Sequence, residues 1–187
     1  MDWVLAVERA YVAAATGTPA SGDFDAELLP RAIAAAGAVA SRYLAVGTPR
    51  SLGLVVNGAD SSEAAALSHA AHATWFAPRD LRVSGLGADS LAHSLRGNVV
   101  PIEEALACDI VCVHAPIAIA AAQLRRGTHL NVLDAVTLDD DLKKLATITY
   151  EVPGLGELAA GLVDGRQLDE LTVFVIRDAA IAARALR

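Results

Sequence analysis

The sequence predicts an α/β protein with a doubly wound parallel sheet and a short helical N-terminal appendage. From residue 51 onward, short apolar runs alternate with helical patterns, the order that parallel βαβ crossovers require. One run, Asp109 to His114, is almost continuously apolar, as expected for a strand buried on both faces. Ser51 to Ala66 reads as strand, tight turn and helix, the unit that opens many dinucleotide sites. The predicted sheet is therefore Rossmann-like.

The first fifty residues predict two helices, Met1 to Ala15 and Asp25 to Leu44. Both carry apolar residues at helical spacing, and these form a wide apolar arc. The arc consists of Trp3, Val4, Val7, Tyr11, Ile33, Val39 and Leu44. We therefore expect residues 1–50 to form a helical N-terminal segment, and residues 51–187 to form a Rossmann-like domain with a C-terminal helix.

The rest of the chain predicts seven strands and the helices that connect them. Apolar, β-branched runs predict strands at Leu52 to Val56, Asp80 to Ser84, Val99 to Val100, Asp109 to His114, Thr128 to Leu133, Ala146 to Tyr150 and Leu171 to Ile176. Helical patterns follow each strand, at Asp60 to Thr74, Ala88 to Leu95, Ile102 to Ala107, Ile117 to Leu124, Asp139 to Leu145, Leu158 to Val163 and Arg177 to Arg187.

Composition and charge exclude several classes of protein. No run reaches the roughly 18 uncharged apolar residues that a membrane span needs, and the N-terminus lacks the pattern of a signal peptide. The formal charge of −7 argues against a nucleic-acid surface, which needs clustered Lys and Arg. Motifs of hydrolases, nucleotide triphosphatases and metalloproteases are absent from the sequence. We expect a cytoplasmic protein with neither a membrane nor a nucleic acid as partner.

The two cysteines, Cys108 and Cys112, are predicted to be core thiols. Their Cα atoms would lie roughly 13 Å apart along a strand, which is too far for a disulfide. Free buried thiols are consistent with a reducing compartment.

Six stretches resemble, in the same order, the ornithine cyclodeaminase/mu-crystallin family. They are Ala32 to Ala45, Leu52 to Ala65, Glu103 to Pro116, Leu124 to Val136, Gly156 to Gly165 and Asp169 to Leu186. The resemblance implies a Rossmann domain that holds NAD(P), next to a substrate domain that dimerises and supplies a catalytic lysine. Here about fifty residues precede the first predicted strand, and the resemblance implies that residues 1–50 are a remnant of the substrate and dimerisation domain, its two helices without the β portion. No lysine occurs before Lys143, so the resemblance is to a truncated, divergent member.

The turn after the first strand keeps only part of the family pattern. The positions of the two glycines and the small residue hold Val56, Gly58 and Ser61. The position that often carries an acid for the ribose hydroxyls holds Ser84, Gly85 and Leu86. If a cofactor binds, the resemblance places its contacts at Gly58, Ala59, Asp60, Ser61, Ser84 and Gly85.

Asp60 weakens the expectation of a cofactor. We expect its carboxylate to cap the helix, with Glu63 completing a capping box, and so to occupy the N–H groups that a phosphate would use. The residues therefore predict a site without a cofactor, and NAD(P) binding is the alternative.

Other family positions that carry chemistry are also changed. The aspartate that looks catalytic in the cyclodeaminases aligns with Val136, two residues after Asp134. The arginine that binds substrate aligns with Ala32, beside Arg31. The lysine, serine and glycine near the end align with Val175, Ile176 and Asp178.

Four polar residues lie at or near carboxyl ends of predicted strands, where open α/β sheets bind ligands. They are Ser84, His114, Asn131 and Asp134. His114 could be held by Asp134 and act as an acid or base near neutral pH. The alternative is that His114 caps the strand end and bonds a loop carbonyl.

The other histidines favour structural roles. His69 and His72 have a spacing that suits a metal, but no third ligand is near in sequence, which favours partly exposed or interfacial histidines. His129 starts a strand in a Gly-Thr-His motif that the family shares, and the resemblance implies a packing role for it.

Three functions stay open. The first is a non-catalytic Rossmann shell for assembly or for binding a small amino-acid-like ligand. The second is an NAD(P)-dependent oxidoreductase or cyclodeaminase acting on a small amino or imino acid. The third is a new activity that uses His114 and Asp134. The apolar arc of the N-terminal helices also predicts a homodimer formed through those helices.

Overall fold

The computed structural model describes residues 2–19, 21–164 and 170–187, without the side chain of Pro153. Gly165 and Asp169, which belong to the family-like stretches, lie outside these residues. The helices are α1 Asp2–Ala15, α2 Leu29–Leu44, α3 Ala59–His72, α4 Ala88–Leu95, α5 Ile102–Leu106, α6 Asp140–Leu145, α7 Gly156–Ala159 and α8 Ala180–Arg184. The strands are β1 Ser51–Asn57, β2 Asp80–Leu86, β3 Asn98–Val99, β4 Ile110–His114, β5 Ala118–Ile119, β6 His129–Val132, β7 Thr137–Leu138, β8 Ala146–Thr149 and β9 Leu171–Val175.

Seven of the strands form one sheet in the order β3-β2-β1-β4-β6-β9-β8. Every pair in this sheet is parallel. The chain turns back at β1, which lies between β2 and β4, so the topological switch point falls between β1 and β4. The prediction of a doubly wound, Rossmann-like sheet is confirmed.

The sheet is covered on both faces by separate apolar clusters. Successive residues of β1 alternate between them: Leu54 belongs to the cluster under α2 and α3, and Val55 belongs to the one under α5 and α6. β4 alternates in the same way through Val111 and Cys112. This arrangement explains the continuous apolar runs in the sequence, because both faces of each central strand are buried.

Helix α2 is the most deeply buried of the helices. Ala34 to Ser41 is an unbroken buried run. At Gly37, an added Cβ would lie only 3.3 Å from the side chain of Leu133, so the glycine allows the helix to approach the sheet closely. The α-helix begins at Leu29 rather than Asp25, since Pro30 occupies its first turn and a 3₁₀ turn, Ala26–Leu28, precedes it.

Helix α1 packs inside the chain, against α2, α7 and α8. Val4, Val7 and Tyr11 are wholly buried. Part of the apolar arc is therefore covered within the chain, and the homodimer through the N-terminal helices stays a prediction.

The predicted helix from Ile117 to Leu124 is also wrong. This segment forms β5, which pairs with β7 in a separate two-stranded sheet, and then a 3₁₀ turn, Ala121–Gln123. The Gln123 side chain accepts a hydrogen bond from the Ala120 N–H and so closes the turn. A short apolar run fits helix and strand equally well, and here the buried position of Ile119 in the second cluster goes with the extended form.

No helix in the described part of the chain is long and apolar enough to cross a bilayer.

Candidate functional site

A cleft of about 330 Å³ lies at the carboxyl edge of the sheet, beside the switch point. The ends of β1, β4 and β6 form its floor, the first turn of α3 forms one side and α2 forms a wall. Its lining residues are Pro30, Ile33, Asn57, Asp60, Ser61, Ala64, His114, Pro116, Leu133 and Asp134. The topology thus brings Asp60, His114 and Asp134 to one cavity.

The turn between β1 and α3 is formed at Gly58, with Val56 still inside the strand. Val56 stays within β1, buried and paired with Gly85 and His114, and the strand continues to Asn57. The positive φ that a turn needs occurs at Gly58, at 107°. Val56 is therefore accommodated as a strand residue and does not have to adopt a glycine conformation.

Asp60 does not cap α3, so the predicted capping box is wrong. The N-cap is Gly58, and no side chain bonds to the first N–H groups. Asp60 lies inside the first turn, and among the described residues its carboxylate accepts no hydrogen bond from these N–H groups. The Ser61 hydroxyl instead accepts from the Asn57 N–H at 2.6 Å and donates to the Gly58 carbonyl at 3.0 Å. The first-turn N–H groups of α3 are left without a partner among the described residues.

The second predicted cofactor segment lies against this turn. The Gly58 N–H donates to the Leu86 carbonyl at 2.8 Å. Ser84 is buried, and Gly85 has a φ of 110° and no room for a side chain, because an added Cβ would lie 2.0 Å from the Val56 carbonyl oxygen. Leu86, at the end of β2, is 70% exposed, and its apolar side chain offers no polar group for a ribose.

His114 and Asp134 share the cleft but are not hydrogen-bonded to each other. The Nε2 atom of His114 lies 3.0 Å from the Ser68 hydroxyl on α3. A carboxylate oxygen of Asp134 accepts from the N–H of Ala135 at 2.6 Å. The predicted His114–Asp134 pair is therefore not formed, and Ser68 takes the place of the aspartate.

His114 is neutral at physiological pH. Burial, assisted by the nearby His72, lowers its pKa to about 4. A group with this pKa does not exchange protons efficiently near pH 7. This pKa disfavours a role of His114 as an acid or base near neutral pH, and a catalytic role of His114 and Asp134 stays a prediction.

Behind His114, a buried polar network joins α2, α3 and the sheet. The two ring nitrogens of His72 contact the Ser68 carbonyl at 2.7 Å and the Ser41 hydroxyl at 2.9 Å. The Asn131 amide donates to the same hydroxyl at 2.9 Å, and its oxygen lies 3.1 Å from His129 Nε2. His72 is 1% exposed, so its predicted partial exposure is wrong.

Sequence reasoning missed Ser41 and Ser68. Each stands in an alanine-rich helix, where a serine reads as a small neutral residue, and both are wholly buried. A usable indication was the spacing of Ser68 and His72, four residues apart and hence on one helix face.

The described residues contain no group of three His, Cys, Asp or Glu side chains that could hold a metal. Cys108 and Cys112 are free and buried, as predicted. Burial raises the pKa of Cys108 to about 11 and that of Cys112 to about 12, so neither thiol ionises near neutral pH.

The residues present fit only part of a dinucleotide. The unpartnered N–H groups of α3, and the open space over Gly58, suit a pyrophosphate. Asp60 places a carboxylate in the same turn, and Leu86 replaces a ribose ligand. No Lys or Arg is among the residues that line the cleft. The usual NAD(P) contacts are therefore not reproduced here.

No model of a known protein family matches the sequence, and no curated protein sequence matches it. Solved structures do match. An archaeal alanine dehydrogenase dimer with bound NAD superposes with a TM-score of 0.75 at 22% identity, over 86% of this chain and 62% of that one. The iminosuccinate reductase of Paracoccus denitrificans, in complex with NAD⁺, superposes with a TM-score of 0.72 at 19% identity, over 85% of this chain and 61% of that one.

A probable ornithine cyclodeaminase from Bordetella pertussis gives a TM-score of 0.69 at 18% identity, over 86% of this chain and 64% of that one. The chain thus spans less than two thirds of the length of these proteins. At these identities the likeness shows a shared fold. It confirms the fold that the resemblance to the family implied.

Proposed function

We propose that this chain is a divergent, non-catalytic protein of the ornithine cyclodeaminase/mu-crystallin type that binds a small amino-acid-like ligand in the cleft at the switch point. The observation that carries the proposal is the charge of the cleft, which has two carboxylates, Asp60 and Asp134, and no cation among its lining residues. Such a site favours an ammonium group and disfavours a phosphate.

The size of the cleft supports a small ligand. Its volume of about 330 Å³ is at the lower end of the range of roughly 300–1,000 Å³ that ligand pockets cover. Pro30 and Ile33 of α2 form an apolar wall that limits it. A compound of amino-acid size with a short apolar side chain matches these dimensions.

The changes at reactive positions support binding without turnover. Val136 and Val175 stand where the resemblance places an aspartate and a lysine, and neither side chain can transfer a proton. His114, the titratable ring in the cleft, has a pKa far below neutral. These changes favour a site that recognises a ligand without acting on it.

Calorimetry with alaninamide, a small cationic amine, tests the proposal. We expect binding at pH 7.5 that Asp60→Asn and Asp134→Asn each weaken about tenfold, which corresponds to about 1.4 kcal/mol. Asp89→Asn on α4 is the matched control, because Asp89 does not line the cleft, and it should leave affinity unchanged. Equal affinity in all four proteins would contradict the assignment of the cleft.

A second candidate is an NAD(P)-dependent oxidoreductase or cyclodeaminase acting on a small amino or imino acid. The unpartnered N–H groups at the start of α3 favour it, as do the NAD-bound structures of similar fold. Titration with NAD, NADH, NADP and NADPH separates the candidates. Millimolar or tighter binding of any of the four would favour the enzyme and count against a shell without a cofactor.

A homodimer and a cytoplasmic location stay predictions. The archaeal alanine dehydrogenase of similar fold is a dimer. Because Val4, Val7 and Tyr11 are buried within the chain, a dimer through the N-terminal helices has to use their outer faces. Light scattering at micromolar concentration tests it, and a monomeric mass would contradict it.

A further inference from the structure

The hydroxyl of Ser68 has one hydrogen-bond partner among the described residues, and that partner is His114. Ser68 and His114 are 0% and 3% exposed, and the Ser68 Oγ and His114 Nε2 atoms lie 3.0 Å apart. The carbonyl of Ser68 is engaged separately, by Nδ1 of His72. His72 therefore does not compete for the Ser68 hydroxyl, which is paired with His114.

The direction of this hydrogen bond follows from counting protons. A neutral imidazole carries one N–H and one bare nitrogen. If the proton were on Nε2, the buried Ser68 O–H would have no acceptor, and leaving a buried donor unpaired is costly. If Ser68 donates to a bare Nε2, both groups are satisfied. The second arrangement places the imidazole proton on Nδ1.

The Nδ1 atom is the one available to the cleft. His114 lines the cleft, and no described residue bonds to its Nδ1. Nor is this atom among the fully enclosed polar atoms that lack a partner, which are Tyr11 Oη and Thr74 Oγ1. The cleft therefore contains a neutral N–H donor in addition to the carboxylates of Asp60 and Asp134.

We propose that Ser68 is a positioning residue that fixes His114 in the Nδ1–H tautomer, so that the cleft requires a neutral oxygen acceptor on the ligand as well as an amine. This inference rests on the proposed function and narrows it to small amines that carry a carbonyl or hydroxyl oxygen. The carboxylates of the cleft attract the ammonium, and the His114 N–H selects among amines by the oxygen that they bring.

The tautomer can be measured without any ligand. In a ¹H–¹⁵N long-range correlation spectrum of the uniformly labelled protein at pH 7.5, His114 should show a protonated Nδ1 and an unprotonated Nε2. The resonances are assigned by their loss in His114→Gln. An Nε2–H tautomer in the unmodified protein would overturn the proposal, because it would mean that Ser68 does not donate.

Ser68→Ala tests the role of the hydroxyl itself. Without the serine donor, we expect His114 to shift to a mixture of tautomers with a substantial Nε2–H population. Ser94→Ala is the control, since the Ser94 hydroxyl bonds only within α4, to the Leu91 carbonyl, and His114 should keep its pattern there. An unchanged Nδ1–H pattern in Ser68→Ala would contradict the proposed role.

Two amines of similar shape test the consequence for recognition. Alaninamide has an ammonium and a carbonyl oxygen, and 3-methylbutan-2-amine has the same ammonium with an isopropyl group in place of the carboxamide. We expect alaninamide to bind at least tenfold more tightly, and Ser68→Ala to reduce this ratio several-fold while the affinity for 3-methylbutan-2-amine stays the same. Equal affinity of the two amines for the unmodified protein would overturn the requirement for an acceptor. Binding of neither would contradict the proposed function, whereas the spectrum still decides the role of Ser68.

Discussion

Gly58 and Gly85 show how much the surroundings of a residue decide the effect of a substitution. Both have a φ near 110°, a backbone conformation that is strained by about 1–3 kcal/mol in residues other than glycine. A Cβ at Gly58 would enter open space, whereas at Gly85 it would lie 2.0 Å from the backbone of Val56. The first position is a turn, and the second is a close approach between neighbouring strands.

We predict that Gly85→Ala destabilises the protein at least about 2 kcal/mol more than Gly58→Ala, because only the methyl group added at Gly85 overlaps with backbone atoms. Urea unfolding followed by circular dichroism measures both. Equal losses would mean that backbone strain, and not space, governs the two sites.

The buried histidines should make stability depend on pH. Burial lowers the pKa of His72 and of His114 from 6.5 to about 4 in the folded state. The unfolded chain then takes up protons first as the pH falls. The contribution of the neutral rings to the free energy of unfolding is fully present above pH 6.5. It is lost as the pH falls toward 4, at about 1.4 kcal/mol per pH unit for each histidine.

The free energy of unfolding, measured in urea between pH 7.5 and 5, should therefore decrease below pH 6.5. His114→Gln should flatten this decrease, while the exposed His93→Gln should leave it unchanged. A pH profile that is the same in all three proteins would show that these rings titrate alike in the folded and unfolded states.

At the scale of elements, α2 is fixed to the sheet by Ser41 as well as by packing. Its hydroxyl contacts His72 on α3 and Asn131 on β6, both buried. Ser41→Ala removes one group and leaves two buried polar atoms with one partner fewer, so we predict a loss of about 1–3 kcal/mol. Ser94→Ala, on the more exposed α4, should cost less than about 0.5 kcal/mol. Equal effects in urea unfolding would contradict a structural role for the network.

The elements show how far the sequence can predict this fold. The seven strands of the main sheet were predictable, because a parallel sheet covered on both faces leaves apolar, β-branched runs such as that of β4. β5 and β7 were not predicted, since each has two residues without periodicity and, unlike β3, which pairs with β2 in the main sheet, they pair with each other. The end of α3 at His72 also lay within two residues of its predicted position.

The site was predictable in its position but not in its contacts. The sequence places Asp60, His114 and Asp134 at the correct edge because strand ends meet there. It could not show that Ser68 rather than Asp134 bonds to His114, since a contact between residues 46 positions apart depends on how α3 packs on β4. The capping role of Asp60 failed for a local reason: the N-cap is Gly58, so the helix begins two residues earlier than capping by Asp60 requires.

At the scale of the whole molecule, the N-terminal segment and the sheet share one apolar cluster. Val4 and Val39 belong to the same cluster as Leu54 and Cys112. The Arg184 guanidinium near the C-terminus also donates to the Gly22 carbonyl at 2.6 Å. The division at residue 50 into two parts stays a prediction, and the packing favours a single cooperative unit.

The two tryptophans test this cooperativity. Trp3 lies on α1 and Trp75 lies just after α3, so Trp75→Phe and Trp3→Phe each leave one reporter. Fluorescence of each single-tryptophan protein should give the same urea midpoint as its own circular dichroism. An earlier midpoint for the Trp3 reporter alone would show that α1 detaches before the sheet unfolds.

The buried thiol of Cys112, which lies within the central strand β4, can report how often the centre of the sheet opens. A thiol reagent reacts with the thiolate form of cysteine. Cys112 has a pKa of about 12 and no exposed surface, so it presents almost no thiolate to a reagent while β4 stays in place. Labelling of Cys112 in the native protein should therefore proceed only during transient separation of the sheet from α3, whose His72 contacts the Cys112 thiol. Its rate, measured by mass spectrometry as reagent concentration rises, would level off at the frequency with which the centre of the sheet opens.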